Sequence, residues 1–531
     1  MQCHALLCGR VFFQFILIMS DITLIHAPYD PIYFIPPGMN YLLNYLKKNG
    51  FNSDMIDMNV DLFNQYNEIW LETEKFKKNF TPGSDFEVFI NKYIDTIINY
   101  IKGNVPRYFG FTLYYTSYDF TVYFVKKLKE SFPNTKMIAG GPDVFINLEK
   151  YKKLLKENVF DVLILKEGEK RLVSLLRDAP YSSGSILTID NIDSEYTLDK
   201  QELLDIETES VELEEISFFP DLPRNFKIIP IFASRGCPGM CTFCMQKSLW
   251  DTLRTKKPRQ VVNEMINYYN RWGIDVFHFT DLTLNSSERW FSEFIEILEN
   301  ETYKFAITSN FRLEAQLNNS GFLKRMLNAG IRYMDFGVES GSQIMLDRIK
   351  KGTNNNQNCR IIKNASGIGL FINTSFIVGL PDETSVEFLE TIRCVKDILW
   401  SADCITINFF ENLQHSPGYV AAAKYLEKHS EEKEYQIKKR IFNNEICEFN
   451  KLGAYPMPVY YAYNLNADVY KRAITKYYEL KYMGVAQNEL RKKFVNNELI
   501  YTDNEFWEIL IKIYDIKRQQ ENLLIQIINN C

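Results

Sequence analysis

The chain has 531 residues, 46% of them apolar, with a net charge of −6 and a pI near 5.7. That length exceeds one compact core, so several domains are expected, and the acidic balance argues against a broad nucleic-acid or anionic-membrane footprint. Ten cysteines, scattered apart from one tight group, do not read as a disulfide framework and suit a reducing cytoplasm; no apolar run of about 18 residues predicts a membrane span.

At the N-terminus, Val11 to Met19 (VFFQFILIM) has the apolar core of a signal peptide but no small-residue cleavage site after it. Residues 1–19 are read as an extension ahead of a domain that starts near Met19, with an export signal as the open alternative. Cys3 and Cys8 are given no role.

From residue 20 to 185 strand-like and helix-like stretches alternate. Ile22–Ile25 is a short apolar strand. After Pro36-Pro37-Gly38, the residues Met39, Leu42, Leu43 and Leu46 form a helical stripe that Gly50 should end. A strand at Ser53–Met58, a helical insertion to about Lys102 and a strand at Tyr108–Leu113 follow. Phe120, Phe124 and Leu128 share the next helix face, with Asp119 placed to cap it, before strands at Lys136–Ala139 and Asp161–Leu165. Repeated βα units of this kind predict a doubly wound, Rossmann-like parallel sheet. Its ligand edge should carry Pro28-Tyr29-Asp30, Tyr115-Thr116-Ser117 and Gly140-Gly141-Pro142, where glycines let a bulky ligand approach the backbone.

Residues 186–225 read as a solvated linker, with eleven acidic residues against the single Lys200 between Asp190 and Glu215. From 226 to 430 the alternation resumes. Strands are expected at Ile228–Ala233, Asp275–Thr280, Lys304–Thr308, Tyr333–Val338, Phe371–Val378 and Ile405–Phe409, a partial (β/α)6 TIM-type barrel with its active residues at the strands' carboxyl ends. Residues 431–531 read as a mainly helical region, in which the stretch around Tyr460-Tyr461-Ala462-Tyr463 is expected to select substrate. The high aromatic content, 15%, is assigned mostly to cores.

The sharpest motif is Ser234-Arg235-Gly236-Cys237-Pro238-Gly239-Met240-Cys241-Thr242-Phe243-Cys244, with C-x3-C-x2-C spacing directly after the first barrel strand. Random placement of ten cysteines would give it about 0.004 times per chain. Zinc competes for three thiolates, but a structural zinc site closes with four protein ligands, and after Cys244 no Cys or His follows until His278. Three thiolates on an iron–sulfur cubane leave one iron open for chemistry; a zinc-binding protein without catalysis stays the alternative.

On these residues the chain resembles the radical S-adenosylmethionine superfamily. The resemblance implies that Cys237, Cys241 and Cys244 bind a [4Fe–4S] cluster whose fourth iron is chelated by S-adenosylmethionine. Phe243 matches the family's aromatic before the third cysteine. Gly337-Val338-Glu339-Ser340-Gly341-Ser342 matches the segment whose carboxylate reaches the ribose, with Glu339 and Ser340 as its site residues. Val378-Gly379-Leu380-Pro381-Asp382-Glu383-Thr384 matches the turn that backs the adenine, through Gly379, Leu380 and Pro381. Asp281 stands where the family faces the methionine amino group, although Thr280-Asp281 departs from the common Gly-Gly-Glu form. Taken singly, Glu339 would be a helix-start carboxylate and Gly379-Leu380-Pro381 an ordinary turn; their order behind the cysteine loop favours the functional reading.

Residues 20–185 resemble the cobalamin-binding domain that precedes the radical domain in one subgroup. The matching segments are Pro36-Pro37-Gly38 with Tyr41-Leu42, Thr116-Ser117-Tyr118, Gly140-Gly141-Pro142 and Glu167-Gly168-Glu169, with Lys166 where a glycine is expected. None of the five histidines fits the classical Asp-x-His-x-x-Gly ligand. His26 is read as structural, and His415-Ser416-Pro417-Gly418 keeps half the pattern in the wrong domain. The resemblance implies a 5′-deoxyadenosyl radical that abstracts hydrogen from an unactivated carbon of a small-molecule or peptide substrate, and an external one-electron reductant; the charge and the lack of a long apolar run point to no nucleic acid and no membrane as partners. A cobalamin-dependent methyltransferase is the leading reading. Cyclisation or rearrangement on the same scaffold is the second, and a tRNA methylthiotransferase lacks the extra domains it would need.

Overall fold

The computed structural model describes residues 20–28, 37–65, 83–181, 184–195, 200–213, 228–453 and 503–530. The apolar segment at Val11–Met19, Tyr29-Asp30, Pro36, Asp221-Leu222-Pro223 and the Tyr460–Tyr463 stretch lie outside them. The chain divides into two units, Met1–Asp30 with Gly38–Leu203 and Pro31–Pro37 with Leu204–Cys531.

In the first unit, short apolar runs bounded by turn residues become the strands β1 (Ile22–His26), β2 (Ser53–Asp57), β3 (Tyr108–Thr112), β4 (Lys136–Gly140) and β5 (Val162–Ile164). They join in the order β2-β1-β3-β4-β5, all parallel, the doubly wound order expected from repeated βα units. The helices between them are α1 (Pro37–Lys48), α2 (Met58–Gln65), α3 (Asp85–Ile101), α4 (Tyr118–Ser131), α5 (Pro142–Ile146), α6 (Leu148–Lys156) and α7 (Glu169–Leu176). Gly50, at φ +87°, ends the run after α1 as its freedom at positive φ allows. Helix α4 buries Phe120, Phe124 and Leu128, but its N-cap is Ser117. Asp119 stands inside the first turn, where its charge meets the helix's positive end instead of capping it.

The acidic stretch is not solvated throughout. Its start forms β6 (Ile186–Leu187), antiparallel to β5 at the sheet edge. Farther on, Leu203, Leu204, Ile206 and Leu213 are buried. Glu202 pairs at 2.9 Å with Arg171, which is fully buried. The Arg171 guanidinium also donates to the carbonyls of Leu165 and Glu167, fixing the turn after β5. Charge density alone hid these contacts, because Glu202, Asp205 and Glu212 stand directly beside apolar residues that pack.

The second unit carries another parallel sheet, ordered β14-β13-β12-β11-β10-β7. Its strands are β7 (Ile229–Ile231), β10 (Val276–Phe279), β11 (Ala306–Phe311), β12 (Ile331–Glu339), β13 (Phe371–Val378) and β14 (Cys404–Phe409); the two-residue strands β8 (Ser234–Arg235) and β9 (Arg254–Thr255) pair separately. Each strand therefore pairs with its successor along the βα repeat, giving the expected partial (β/α)6 barrel with β7 and β14 as its two edges. Its helices are α8 (Gln246–Leu249), α9 (Pro258–Trp272), α10 (Glu288–Asn300), α11 (Ser320–Asn328), α12 (Gln343–Arg348), α13 (Asn355–Gly367) and α14 (Ser385–Ile398). Beyond the sheet come α15 (Tyr419–His429), α16 (Lys433–Ile441), α17 (Cys447–Gly453) and α18 (Asp503–Asn530). Helix α18 is tied down by Gln520 Nε2, which donates to the Phe449 carbonyl at 3.0 Å. Among the described residues no helix is long and apolar enough to cross a membrane.

Candidate active site

The cysteine loop leaves the carboxyl end of β7 and is closed at its base by the antiparallel β8–β9 pair, Ser234 opposite Thr255 and Arg235 opposite Arg254. Gly236 makes that closure possible. At φ +96° a side chain is strained, and a Cβ there would lie 2.6 Å from the Thr252 carbonyl oxygen. Two backbone bonds anchor the loop's middle: Thr242 N donates to Ile349 O at 3.0 Å, and Gly418 N donates to Thr242 O at 2.7 Å. The loop's aromatic, Phe243, packs on a buried cluster of Met345, Leu346, Ile349, Leu380, Phe410 and Ala422. Phe243 thus pins the cysteine loop to the Gly379-Leu380-Pro381 turn, which joins two motifs that lie far apart in sequence.

Cys237, Cys241 and Cys244 are all half-buried free thiols. Burial raises the Cys241 and Cys244 thiols, and the neighbouring sulfurs add to the rise. Lys351 and Arg312 oppose it at Cys241. Neither cation carries a motif spacing, so sequence reasoning missed both; the signal for Arg312 was its place immediately after β11, at a strand's carboxyl end. The Arg312 guanidinium reaches the Lys351 carbonyl. Gly239, between the first two cysteines, leaves the room: a Cβ there would sit 3.1 Å from an Arg312 terminal nitrogen and 3.3 Å from Cys237 Sγ.

Glu339 ends β12 at a register shift against β13 and takes φ +69°. Its Oε1 accepts from Lys351 Nζ at 2.8 Å, both side chains about nine-tenths buried. Gly337 is fixed by this pair, since a Cβ would lie 2.3 Å from Glu339 Oε1 and 3.0 Å from Lys351 Nζ. The Ser340 hydroxyl is turned to the protein interior, sharing a bond with Thr391 Oγ1 at 2.9 Å and accepting from Ser342 N at 3.0 Å. Gly341 rests on α14, a Cβ there meeting Cys394 Cβ and Glu390 O at 2.5 Å. Gly379 takes φ +74° beneath the Phe409 ring, and its N–H donates to Glu383 Oε2 at 2.7 Å; Leu380 is buried and Pro381 half-buried.

Asp281, two residues past β10, turns its carboxylate to the start of the cysteine loop. One carboxylate oxygen accepts from Ala233 N at 2.9 Å and the other from the Ser234 hydroxyl at 2.5 Å. It therefore braces the base of the cysteine loop. Burial pushes its carboxyl up to about 6 from 3.8, against the lowering by these bonds and by Lys256. A value above the unfolded one means the folded chain binds this proton more tightly. The group's contribution to stability is then full below about pH 4 and falls as pH rises through 6, by about 3 kcal/mol at most. We expect Asp281→Asn to flatten that decline, measured as urea midpoints of the apoprotein between pH 4.5 and 7.

In the first unit, the ends of β3 and β4 are stitched together: Leu113 N donates to Gly140 O at 2.9 Å, and Asp143 N to Leu113 O at 3.3 Å. Thr116 is exposed, Ser117 is buried with its hydroxyl on the Tyr114 backbone, and Pro142 opens α5. Gly140 has ordinary space, but Gly141, at φ +97°, would place a Cβ 2.8 Å from Leu113 N and 2.9 Å from Leu113 O. The chain's own backbone at Leu113 is by itself enough to demand glycine at 141. Lys166 adopts φ +62°, which explains why glycine was expected there, and its Nζ sits 4.8 Å from the Phe145 ring centre. His26 Nδ1 lies 3.0 Å from Asp57 Oδ1, both buried. His415 falls in the loop after β14, its carbonyl accepting from Ser248 Oγ at 2.5 Å beside the cysteine loop.

Residues 231–395 match the family model of the Radical SAM superfamily. The anaerobic magnesium-protoporphyrin IX monomethyl ester cyclase of Rubrivivax gelatinosus is 31% identical over 183 residues, 34% of this chain and 32% of that protein. The cytidylyl-2-hydroxyethylphosphonate methyltransferase of Streptomyces wedmorensis is 27% identical over 187 residues, 34% of each. The chain thus spans about a third of the length of these two curated relatives. The solved structure of the cobalamin-dependent S-adenosylmethionine radical enzyme OxsB, with aqua-cobalamin and S-adenosylmethionine bound, shares the fold: TM-score 0.61 at 14% identity, over 97% of this chain and 80% of that one. The three-cysteine loop, the β12 carboxylate and the β13 turn all fall on the one parallel sheet of the segment 231–395, the part of the chain that matches the Radical SAM superfamily.

Proposed function

We propose that this protein is a cobalamin-dependent radical S-adenosylmethionine enzyme that methylates an unactivated carbon of a small-molecule or peptide substrate, fed by an external one-electron reductant in the cytoplasm. The observation that carries the proposal is the meeting of the cysteine loop, through Phe243, with Leu380, while Glu339 and Lys351 stand beside the same thiols. The donor set fits a cubane better than zinc. Its ligands are three thiols with Arg312 and Lys351 alongside, a set that leaves one iron of a cubane open, whereas a structural zinc site calls for a fourth protein ligand.

Cys237, Cys241 and Cys244 would hold the cluster, Glu339 the ribose hydroxyls, and the Gly379–Pro381 turn the adenine. When bound, the reduced cluster supplies one electron to the sulfonium and cobalamin carries the methyl group. The chain's own work is to seat these groups and keep water out. Phe243 and Leu380 close one side of the loop with apolar surface, and Arg312 and Lys351 offset the negative charge of the thiolates. In the first unit, Thr116, Ser117 and Gly140–Pro142, along the carboxyl edge of the sheet, are the proposed cobalamin contacts.

Anaerobic reconstitution with iron, sulfide, cobalamin and S-adenosylmethionine tests the reading. A methyltransferase consumes one sulfonium for hydrogen abstraction and one for cobalt, so 5′-deoxyadenosine and S-adenosylhomocysteine should form together. The name of the Rubrivivax relative favours a second reading, ring closure, which would give 5′-deoxyadenosine without S-adenosylhomocysteine. Zinc without iron in the anaerobic protein would overturn both. With His26 engaged by Asp57, the paramagnetic resonance of bound cob(II)alamin should show no histidine nitrogen coupling and should not change in His26→Ala.

A further inference from the structure

Two cysteines outside the loop are brought together by helix packing. Cys359 on α13 and Cys394 on α14 place their sulfurs 3.2 Å apart, with the Asn355 amide oxygen 3.8 Å from one and 3.5 Å from the other. Cys359 is half-buried and Cys394 buried. We propose that Cys359 and Cys394 are an oxidisable dithiol, a disulfide-forming site built behind the Glu339–Ser340 turn.

The geometry asks little of the backbone, since a disulfide bond of about 2.05 Å lies roughly 1 Å inside the present separation. The hydrogen bond shared by the two sulfurs holds the Cys359 thiol below its usual range, while that pairing and burial push Cys394 up. Cys359, the more accessible sulfur, is then the attacking one. With a small-molecule disulfide such as oxidised glutathione as oxidant, the Cys359 thiolate attacks one of its sulfurs and expels one glutathione thiolate. Cys394, giving up its proton, attacks the Cys359 sulfur of the mixed disulfide and expels the second. The protein loses two protons and two electrons, and the oxidant is reduced to two thiols.

Both helices that carry the pair also hold the turn. Thr391 on α14 takes the Gly341 N–H at 3.1 Å and the Ser340 hydroxyl, and Gly341 packs on Cys394 itself. The start of α13 is fixed by Asn355 N donating to Gln343 Oε1 at 3.0 Å. Drawing α13 and α14 together therefore tightens residues 340–343 from both sides.

Oxidised glutathione is added to the full chain and, separately, to the full chain carrying Cys237→Ala, Cys241→Ala and Cys244→Ala, where no cluster reading bears on the result. Peptide mapping should show the Cys359 and Cys394 peptides joined, with two fewer hydrogens, in both proteins. Cys359→Ser and Cys394→Ser should each abolish the link, and the Gly341 amide should exchange more slowly in the oxidised form. Both thiols still alkylatable after oxidation, a glutathione adduct that persists on Cys359, or unchanged exchange at Gly341 would each overturn the proposal.

Discussion

Replacing Cys237, Cys241 and Cys244 together with alanine should bring iron, acid-labile sulfide and visible absorption to background and abolish reductive cleavage of S-adenosylmethionine. The chain should still fold. The thiols are half-buried loop positions, while the loop itself is held by the Thr242 and Gly418 backbone bonds and by Phe243 on its apolar cluster. Near-wild-type thermal unfolding of the apoprotein beside complete loss of iron is the expected pair of results. Iron retained by the triple variant, or cleavage that persists without it, would sink the cluster assignment.

The second large effect is expected at Glu339. Glu339→Gln leaves the Lys351 ammonium without its carboxylate where both side chains are about nine-tenths buried, and breaking such a pair costs about 3–5 kcal/mol. The melting temperature should fall by several degrees, and S-adenosylmethionine should bind about 10-fold to 100-fold more weakly, the worth of one hydrogen bond to a charged group. Stability and binding part company in the double variant Glu339→Gln/Lys351→Met. Removing the orphaned charge should restore most of the stability and leave the affinity low. Recovery of both would make Glu339 a structural carboxylate with no ligand of its own.

Much of this fold was legible because its strands are apolar runs between turn residues, and the cysteine spacing carries its own chemistry. The misses share a cause. Strand β6 is two residues long inside an acidic stretch, too short for any periodicity to register. Arg312 and Lys351 are single basic residues that become a pair only when the ends of β11 and β12 lie side by side. At Gly141 the Leu113 backbone that a side chain would strike is visible only in three dimensions. Asp281 follows the second strand of the barrel as expected, and its bond to the Ser234 hydroxyl joins two positions that no motif links. The Cys359–Cys394 contact likewise joins positions on separate helices that no motif links.

The bond from Gly418 to Thr242 crosses from the loop after the last strand of the sheet to the loop after the first. A ribosome delivers these in the opposite order to need. While β10 through β12 are still being made, neither partner of Thr242 exists, and Ile349 supplies the first bond well before Gly418 supplies the second. The backbone tether of the cysteine loop is therefore complete only once residue 418 has been added, so a chain cut short before that point should hold the loop less firmly.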